Sequence, residues 1–183
     1  SNYPTKTDAN RWFNTVKFPN AASNTAKNCP NVNEIMWYCQ KGEPHWDNTT
    51  LWTVWEHLYT GGMWFKKASV IAAENGKPNA AALKSIAPDG KEYAHTDHFI
   101  TPPNNTNIKS GVPGNRKSYF FLPAMGRYAA GKLEEFRTIG RYWTSTPDPV
   151  RKEVSYSLYF KEDNVVVSNA NERMNGFRLW TSE

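Results

Sequence analysis

The feature that most constrains this chain lies near its end. Val154, Tyr156, Leu158 and Phe160 alternate with Ser155, Ser157 and Tyr159, the two-residue period of a strand with one buried face. Lys161-Glu162-Asp163-Asn164 follows as a turn, and Val165 and Val167 return with the same period. Arg141-Tyr142-Trp143-Thr144-Ser145-Thr146 precedes this hairpin and Asn175-Gly176-Phe177-Arg178-Leu179-Trp180 follows it. Together they predict three or four antiparallel strands. Tyr142-Trp143 opens the first, Phe177 and Leu179 start the last, and 168–175 is an Asn-rich loop. The upstream residues have to cover the apolar face of such a sheet.

Two helices are expected to do so. Pro30, with Asn31 or Asn33 as cap, starts one in which Val32, Ile35, Met36 and Cys39 share a face, and Gly42 and Pro44 stop it. Leu51, Trp52, Trp55, Leu58 and Tyr59 recur at the spacing of an amphipathic stripe between the caps Asp47-Asn48-Thr49-Thr50 and the stop Gly61-Gly62. Met63-Trp64-Phe65 and Ser69-Val70-Ile71 read as strand-like, and 79–87 as a short third helix. The segment 91–118 is a long loop, 119–123 a buried strand and 127–137 a stretch turning at Gly131. Helices first and strands last predict an α+β fold, with two main helices packed on a small twisted antiparallel sheet. The 183 residues suffice for one domain with a real core. Residues 1–28 are a polar lead-in tied down by Trp12-Phe13, and 29–183 form the domain.

Charge narrows the function. The net charge is +5, but residues 141–183 carry six basic and six acidic side chains, so the excess lies upstream, scattered. A nucleic-acid surface would gather it in a stripe beside stacking aromatics, so no nucleic-acid partner is expected. The chain has no apolar run of eighteen residues and hence no helical membrane span. No signal peptide is visible and no initiator Met opens it, so the chain reads as a mature form or an excised domain. Cys29 and Cys39 are ten residues apart. A continuous helix would separate them by about 15 Å, whereas a disulfide needs Cα atoms within about 7 Å. Either the helix stops early or both thiols are free; free, buried thiols are favoured.

Catalytic equipment is sparse. His95-Thr96-Asp97-His98 is the one histidine cluster, but its spacing matches no common zinc site and no third ligand is evident. Glu134-Glu135 and Glu162-Asp163 are neighbours in sequence and read as solvated turns, not as acids facing across a cleft. No nucleophile elbow, phosphate loop or dinucleotide fingerprint occurs. No catalytic residue, metal or cofactor is therefore expected. Asn48-Thr49-Thr50 and Asn104-Asn105-Thr106 match the short glycosylation sequon. Trp46, in a connecting segment, is the expected exposed aromatic.

An ordered set of motifs carries a resemblance. Cys29-Pro30 with Asn33-Glu34 and Trp37-Tyr38 comes first, then Gly61-Gly62 with Trp64-Phe65. Phe121-Leu122-Pro123-Ala124-Met125-Gly126, Gly140-Arg141-Tyr142-Trp143-Thr144-Ser145-Thr146, Tyr156-Ser157-Leu158-Tyr159-Phe160 and Asn175-Gly176-Phe177 follow. Over residues 29–180 the chain resembles C-type-lectin-like domains of Bacteroidales surface and fimbrial proteins. Its tail is similar to the variable proteins of diversity-generating retroelements. The resemblance implies a C-type lectin-like fold with long loops and a non-enzymatic role in binding a protein or glycan on another cell or surface. It implies an extracellular or cell-surface location, or a phage particle.

The resemblance also divides the tail. Tyr142, Trp143, Leu158, Phe160, Gly176 and Phe177 are framework. Arg141, Asp148, Arg151, Ser157, Tyr159, Val166, Ser168, Asn169, Asn171 and Arg173 are ligand-binding display positions. The chain departs from calcium-dependent lectins, having Glu43-Pro44-His45 and no Trp-Asn-Asp. Alternatives are a fixed fimbrial tip adhesin, a structural pilus subunit, or an enzyme on a scaffold like that of formylglycine-generating enzymes. Those enzymes use a cysteine pair near the C-terminal region, and here both cysteines precede residue 40.

Overall fold

Asn31 starts the longest of the described helices, its side chain accepting a hydrogen bond from the Glu34 backbone N–H at 3.0 Å. The computed structural model describes residues 25–95, 103–149, 151 and 153–181. Of the expected lead-in, only the 3-10 turn Thr25–Asn28 lies within them. Helix α1, Val32–Lys41, is buried on every side over 32–39. That is possible because its buried polar side chains have partners, the Lys84 ammonium lying 3.8 Å from Glu34 Oε2. Asn33 donates to the Lys84 carbonyl (3.0 Å) and to Glu92 Oε1 (2.9 Å), and accepts from the Tyr93 N–H. Glu34 accepts from the Tyr38 hydroxyl at 3.1 Å. Gly42 ends the helix, its N–H donating to the Tyr38 carbonyl. Cys29 and Cys39 are both buried, unpaired thiols, and burial pushes Cys39 up to about 12.

Strands β1 (His45–Asp47), β2 (Trp52–Val54), β3 (His57–Tyr59) and β4 (Gly62–Lys66) come next. Short helices α2 (Ala68–Glu74) and α3 (Ala82–Ser85) follow. Then come β5 (Asn104–Asn105), β6 (Lys109–Ser110), β7 (Tyr119–Pro123), β8 (Arg127–Ala129) and β9 (Lys132–Glu134). The last three strands are β10 (Gly140–Pro147), β11 (Val154–Lys161) and β12 (Asn164–Glu172). They form two four-stranded sheets, β6-β1-β4-β7 and β10-β11-β12-β5, and two separate hairpins, β2-β3 and β8-β9. Helix α1 touches both large sheets. The segment carrying β5 and β6 adds an edge strand to each of them, antiparallel to β12 and parallel to β1.

The expected α+β architecture, with two main helices on a small sheet, is overturned. Strands account for 39% and helices for 18%, and the three helices are short. The main cause is the stripe at 51–59, which is a hairpin and not a helix. Trp55 and Glu56 turn it with φ of 49° and 63°, the left-handed pair of a two-residue hairpin loop. Trp52 pairs with Tyr59 and Thr53 with Leu58. A separation of seven residues suits both two helical turns and the base of such a hairpin, and the β-branched and aromatic residues favour the strand. Leu51, Trp55 and Leu58 are consequently exposed, and the expected core stripe is reduced to Trp52.

Other expectations change with it. Ser69-Val70-Ile71 lies in α2, not in a strand. Trp46 is buried against Phe160 and is not the exposed aromatic. Strand β12 runs on to Glu172, replacing most of the expected 168–175 loop. Residues 176–179 make only isolated bridges, Gly176 to Tyr128 and Arg178 to Tyr142, and no final strand. His95 is exposed, while Thr96, Asp97 and His98 lie outside the described residues.

One core joins the two sheets through α1. Phe160 stacks on Tyr142 and meets Phe65 and Trp46 edge-on. Trp180 packs on Phe120, Tyr38 and Tyr142. Gly140 is required beneath Phe160, since a Cβ there would lie 2.0 Å from the ring. Thr146 Oγ1 accepts from the Val32 N–H at 3.0 Å, tying β10 to the start of α1.

Candidate functional site

Alternation along β10, β11 and β12 sends Tyr142, Leu158, Phe160, Val165 and Val167 into the core. The intervening residues go to the opposite face. Register aligns Arg141, Tyr159 and Val166 in one row across the three strands, and Trp143, Ser157 and Ser168 in the next.

Arg141 organises this face. Its Nε and Nη2 donate to the two carboxylate oxygens of Glu135 at 2.5 and 3.0 Å, and Nη1 donates to Asn171 Oδ1 at 3.1 Å. The guanidinium lies 4.7 Å from the Tyr159 ring centre and 5.7 Å from that of Phe177. Phe177 in turn stacks on Trp143 at 4.2 Å. The Arg141 fork holds the Glu135 carboxyl below its ordinary range. Asn171 uses its amide to donate to Ser157 Oγ and Ser168 Oγ, both at 2.7 Å.

A second cluster lies at the other end of the strands. Asp148 is fully buried and accepts from the Arg151 backbone N–H at 2.7 Å and from its Nη2 at 2.8 Å. Nη2 also donates to the Asn169 carbonyl. Hydrogen bonding to Asp148 holds the Arg151 guanidinium above its usual range. Arg173 Nε donates to the Val154 carbonyl at 3.1 Å, and burial lowers the pKa of Arg173.

The ten expected display residues therefore divide. Asp148, Ser157 and Asn171 are buried, where they brace their neighbours. Arg141, Arg151, Tyr159, Val166, Ser168, Asn169 and Arg173 are half-buried. Among the framework positions, Tyr142, Leu158, Phe160 and Phe177 are buried, Trp143 is half-buried and Gly176 is exposed. Gly176 lies under Tyr128, whose Cβ would be 3.0 Å from an added Cβ.

Sequence reasoning missed Glu135. It opens the turn at 135–138, yet its side chain is half-buried, with φ of 60°, clamping Arg141. Glu134 likewise pairs with Arg127 at 3.0 Å. A carboxylate six or seven residues from an arginine is too common a pattern to have flagged either pair. Glu162-Asp163 does form an exposed turn.

The face thus combines one aromatic–guanidinium stack, hydroxyls and amides, with charges paired inside it. Among the described residues no three His, Cys, Asp or Glu side chains converge as metal ligands. No described helix is long and apolar enough to cross a membrane. What fold and face define is a mostly β domain presenting a braced polar sheet surface. Comparison with known proteins adds no relative: no family model, no curated protein and no solved structure matches this chain.

Proposed function

We propose that this chain is a non-enzymatic ligand-binding domain of a surface protein, with the outer face of β10, β11 and β12 as its contact surface. The observation that carries this reading is the division of the tail. Buried residues and Asn171-type braces hold the backbone, while Tyr159, Val166, Ser168 and Asn169 stand half-exposed on or beside one sheet face. Tyr, Ser and Asn supply large contact area and adaptable hydrogen bonding at low entropic cost. The motifs resembling C-type-lectin-like domains and retroelement variable proteins support the same reading, with a protein or glycan on another cell as the ligand.

The test is a panel of glycans and surface proteins against the chain, repeated with Tyr159→Ala and Asn169→Ala. A ligand whose affinity drops about tenfold or more in these variants, at unchanged melting temperature, is the expected result. Variants that bind every panel member like the parent would sink the assignment. Diversification of the tail predicts a near-identical copy of its coding segment beside a reverse transcriptase gene in the source genome.

A pilus-subunit reading is favoured by one feature, the exposed Leu51, Trp55 and Leu58 on the β2-β3 hairpin. A chain that stays monomeric at high concentration would remove it.

A further inference from the structure

A cleft of about 430 Å³ lies at the end of the C-terminal sheet. It is bounded by the residue after β1, the β9-β10 connection and the β11-β12 turn. None of its lining residues belongs to the β10-β12 face described above. Trp46 and Ile139 supply apolar wall, and Asn48, Arg137, Thr138, Lys161, Glu162 and Asp163 supply the polar part.

Arg137 is the informative residue. Among the described residues it is the one arginine whose side chain makes no hydrogen bond, ion pair or ring contact. Arg127, Arg141 and Arg151 pair with carboxylates, Arg116 lies over Trp64, Arg173 donates to a carbonyl and Arg178 to Met125 Sδ. Yet its backbone is held firmly. Arg137 has φ of 69°, a conformation that side-chain-bearing residues avoid. Its N–H donates to the Ala124 carbonyl at 2.7 Å, and its own carbonyl occupies the space a Cβ on Gly61 would need. Thr138 Oγ1 and the Ile139 N–H both donate to the Glu135 carbonyl at 3.0 Å, closing the turn. The turn thus fixes the backbone that carries an exposed, unpaired cation on the cleft wall.

The opposite walls are also fixed. Asp47 is buried and accepts from the backbone N–H and hydroxyl of both Thr49 and Thr50 and from Trp64 Nε1. That network sets the position of Asn48, whose amide makes no hydrogen bond among the described residues. Lys161 is paired with Asp163 at 2.7 Å, which leaves Arg137 as the cation and Glu162 as the anion open to a ligand.

We propose that this cleft binds a carboxylate-bearing sugar residue. The carboxylate meets the Arg137 guanidinium, ring hydroxyls donate to Glu162 and exchange hydrogen bonds with Asn48, and the C–H face of the ring lies against Ile139 and the small part of Trp46 that is exposed. A ligand with one negative charge surrounded by neutral hydroxyls satisfies Arg137 without meeting Glu162 as a second anion. A phosphate dianion or an acidic peptide would bring further negative charge to that rim.

Calorimetry on the full chain with methyl glucuronide, methyl glucoside and N-acetylglutamate amide tests this. Expected is a Kd of about 1 mM or tighter for the glucuronide, with the glucoside and the amino acid at least about tenfold weaker. Arg137→Gly should lose about tenfold or more in glucuronide affinity while the melting temperature holds or rises, because glycine accepts the positive φ. NMR shifts on glucuronide addition should centre on Trp46 and Arg137. Absence of glucuronide binding at about 20 mM, equal binding of the glucoside or the amino acid, or undiminished binding by folded Arg137→Gly would each overturn the proposal. None of these outcomes bears on the Tyr159 face.

Discussion

The two large sheets are built in opposite ways. The C-terminal one is chiefly a local meander, β10 to β11 to β12, each strand pairing with the next along the chain, with only the two-residue β5 added at its edge from afar. The other gathers β1, β4, β6 and β7 from residues 45 to 123 and loops the β2-β3 hairpin out between two of its neighbours. One is held mainly by apolar alternation against α1. The other is fastened at one end by a charge network. Glu43 accepts from Lys109 on β6, pairs with Lys66 on β4 at 2.8 Å and accepts from the Tyr119 hydroxyl on β7 at 2.8 Å. Local pairing leaves its period in the sequence, whereas pairing across sixty residues does not.

The largest way to break this comparison is through the meander's core. Phe160 is fully buried beneath both sheets, and Phe160→Ala should cost about 4 kcal/mol, read by urea denaturation. A loss under about 1 kcal/mol would mean that this sheet is not where stability resides. Next comes Asp47→Ala, which strands the donors of Thr49, Thr50 and Trp64 and should cost about 3 kcal/mol. It should also loosen the hairpin, seen as faster amide exchange at 52–59, with exchange in β11 little changed.

Acid then probes the charge network at the end of the β1-β4 sheet. Hydrogen bonds from Lys109, Lys66 and Tyr119 pull the Glu43 carboxyl down to about 2. A depressed carboxylate contributes its full stability above the unfolded value. That contribution is lost as pH falls from about 5 toward 2. With Glu43 partly exposed, about 1 kcal/mol is expected after solvent screening. Glu43→Gln should flatten that part of the pH–stability curve; an unchanged slope would show that the network contributes nothing.

The smallest effect concerns the hairpin. Trp55→Asn with Glu56→Gly places the preferred residues at the two positive-φ positions and should stabilise by about 0.5–1 kcal/mol. In a helix the same pair would destabilise by more than 1 kcal/mol, roughly. The sign of the change therefore discriminates the hairpin from the helix that the spacing suggests.

The candidate surface was legible to the same extent as the meander that carries it. Inward and outward residues of β11 follow from the two-residue period, with Tyr159 outward and Leu158 and Phe160 inward. Ser157 shares the outward side yet is buried, because Asn171 and Ser168 close over it across the register shift between β11 and β12. Bulges are not written in a hydrophobic pattern. Glu135 and Arg137 were invisible as site residues, since both take positive φ that nothing in their side chains announces.

By itself the sequence determined the helix after Pro30, the buried strand 119–123 and the β11-β12 turn. Each is specified by neighbours within one turn or one pairing step, where capping and alternation act locally. Only the tertiary structure decided that 52–59 is a hairpin and that 103–111 lends an edge strand to each sheet. It also decided that an unpaired arginine stands over a cleft beside the sheet. Those outcomes depend on contacts between residues far apart in the chain, whose free energy outweighs local preference and leaves no period to read.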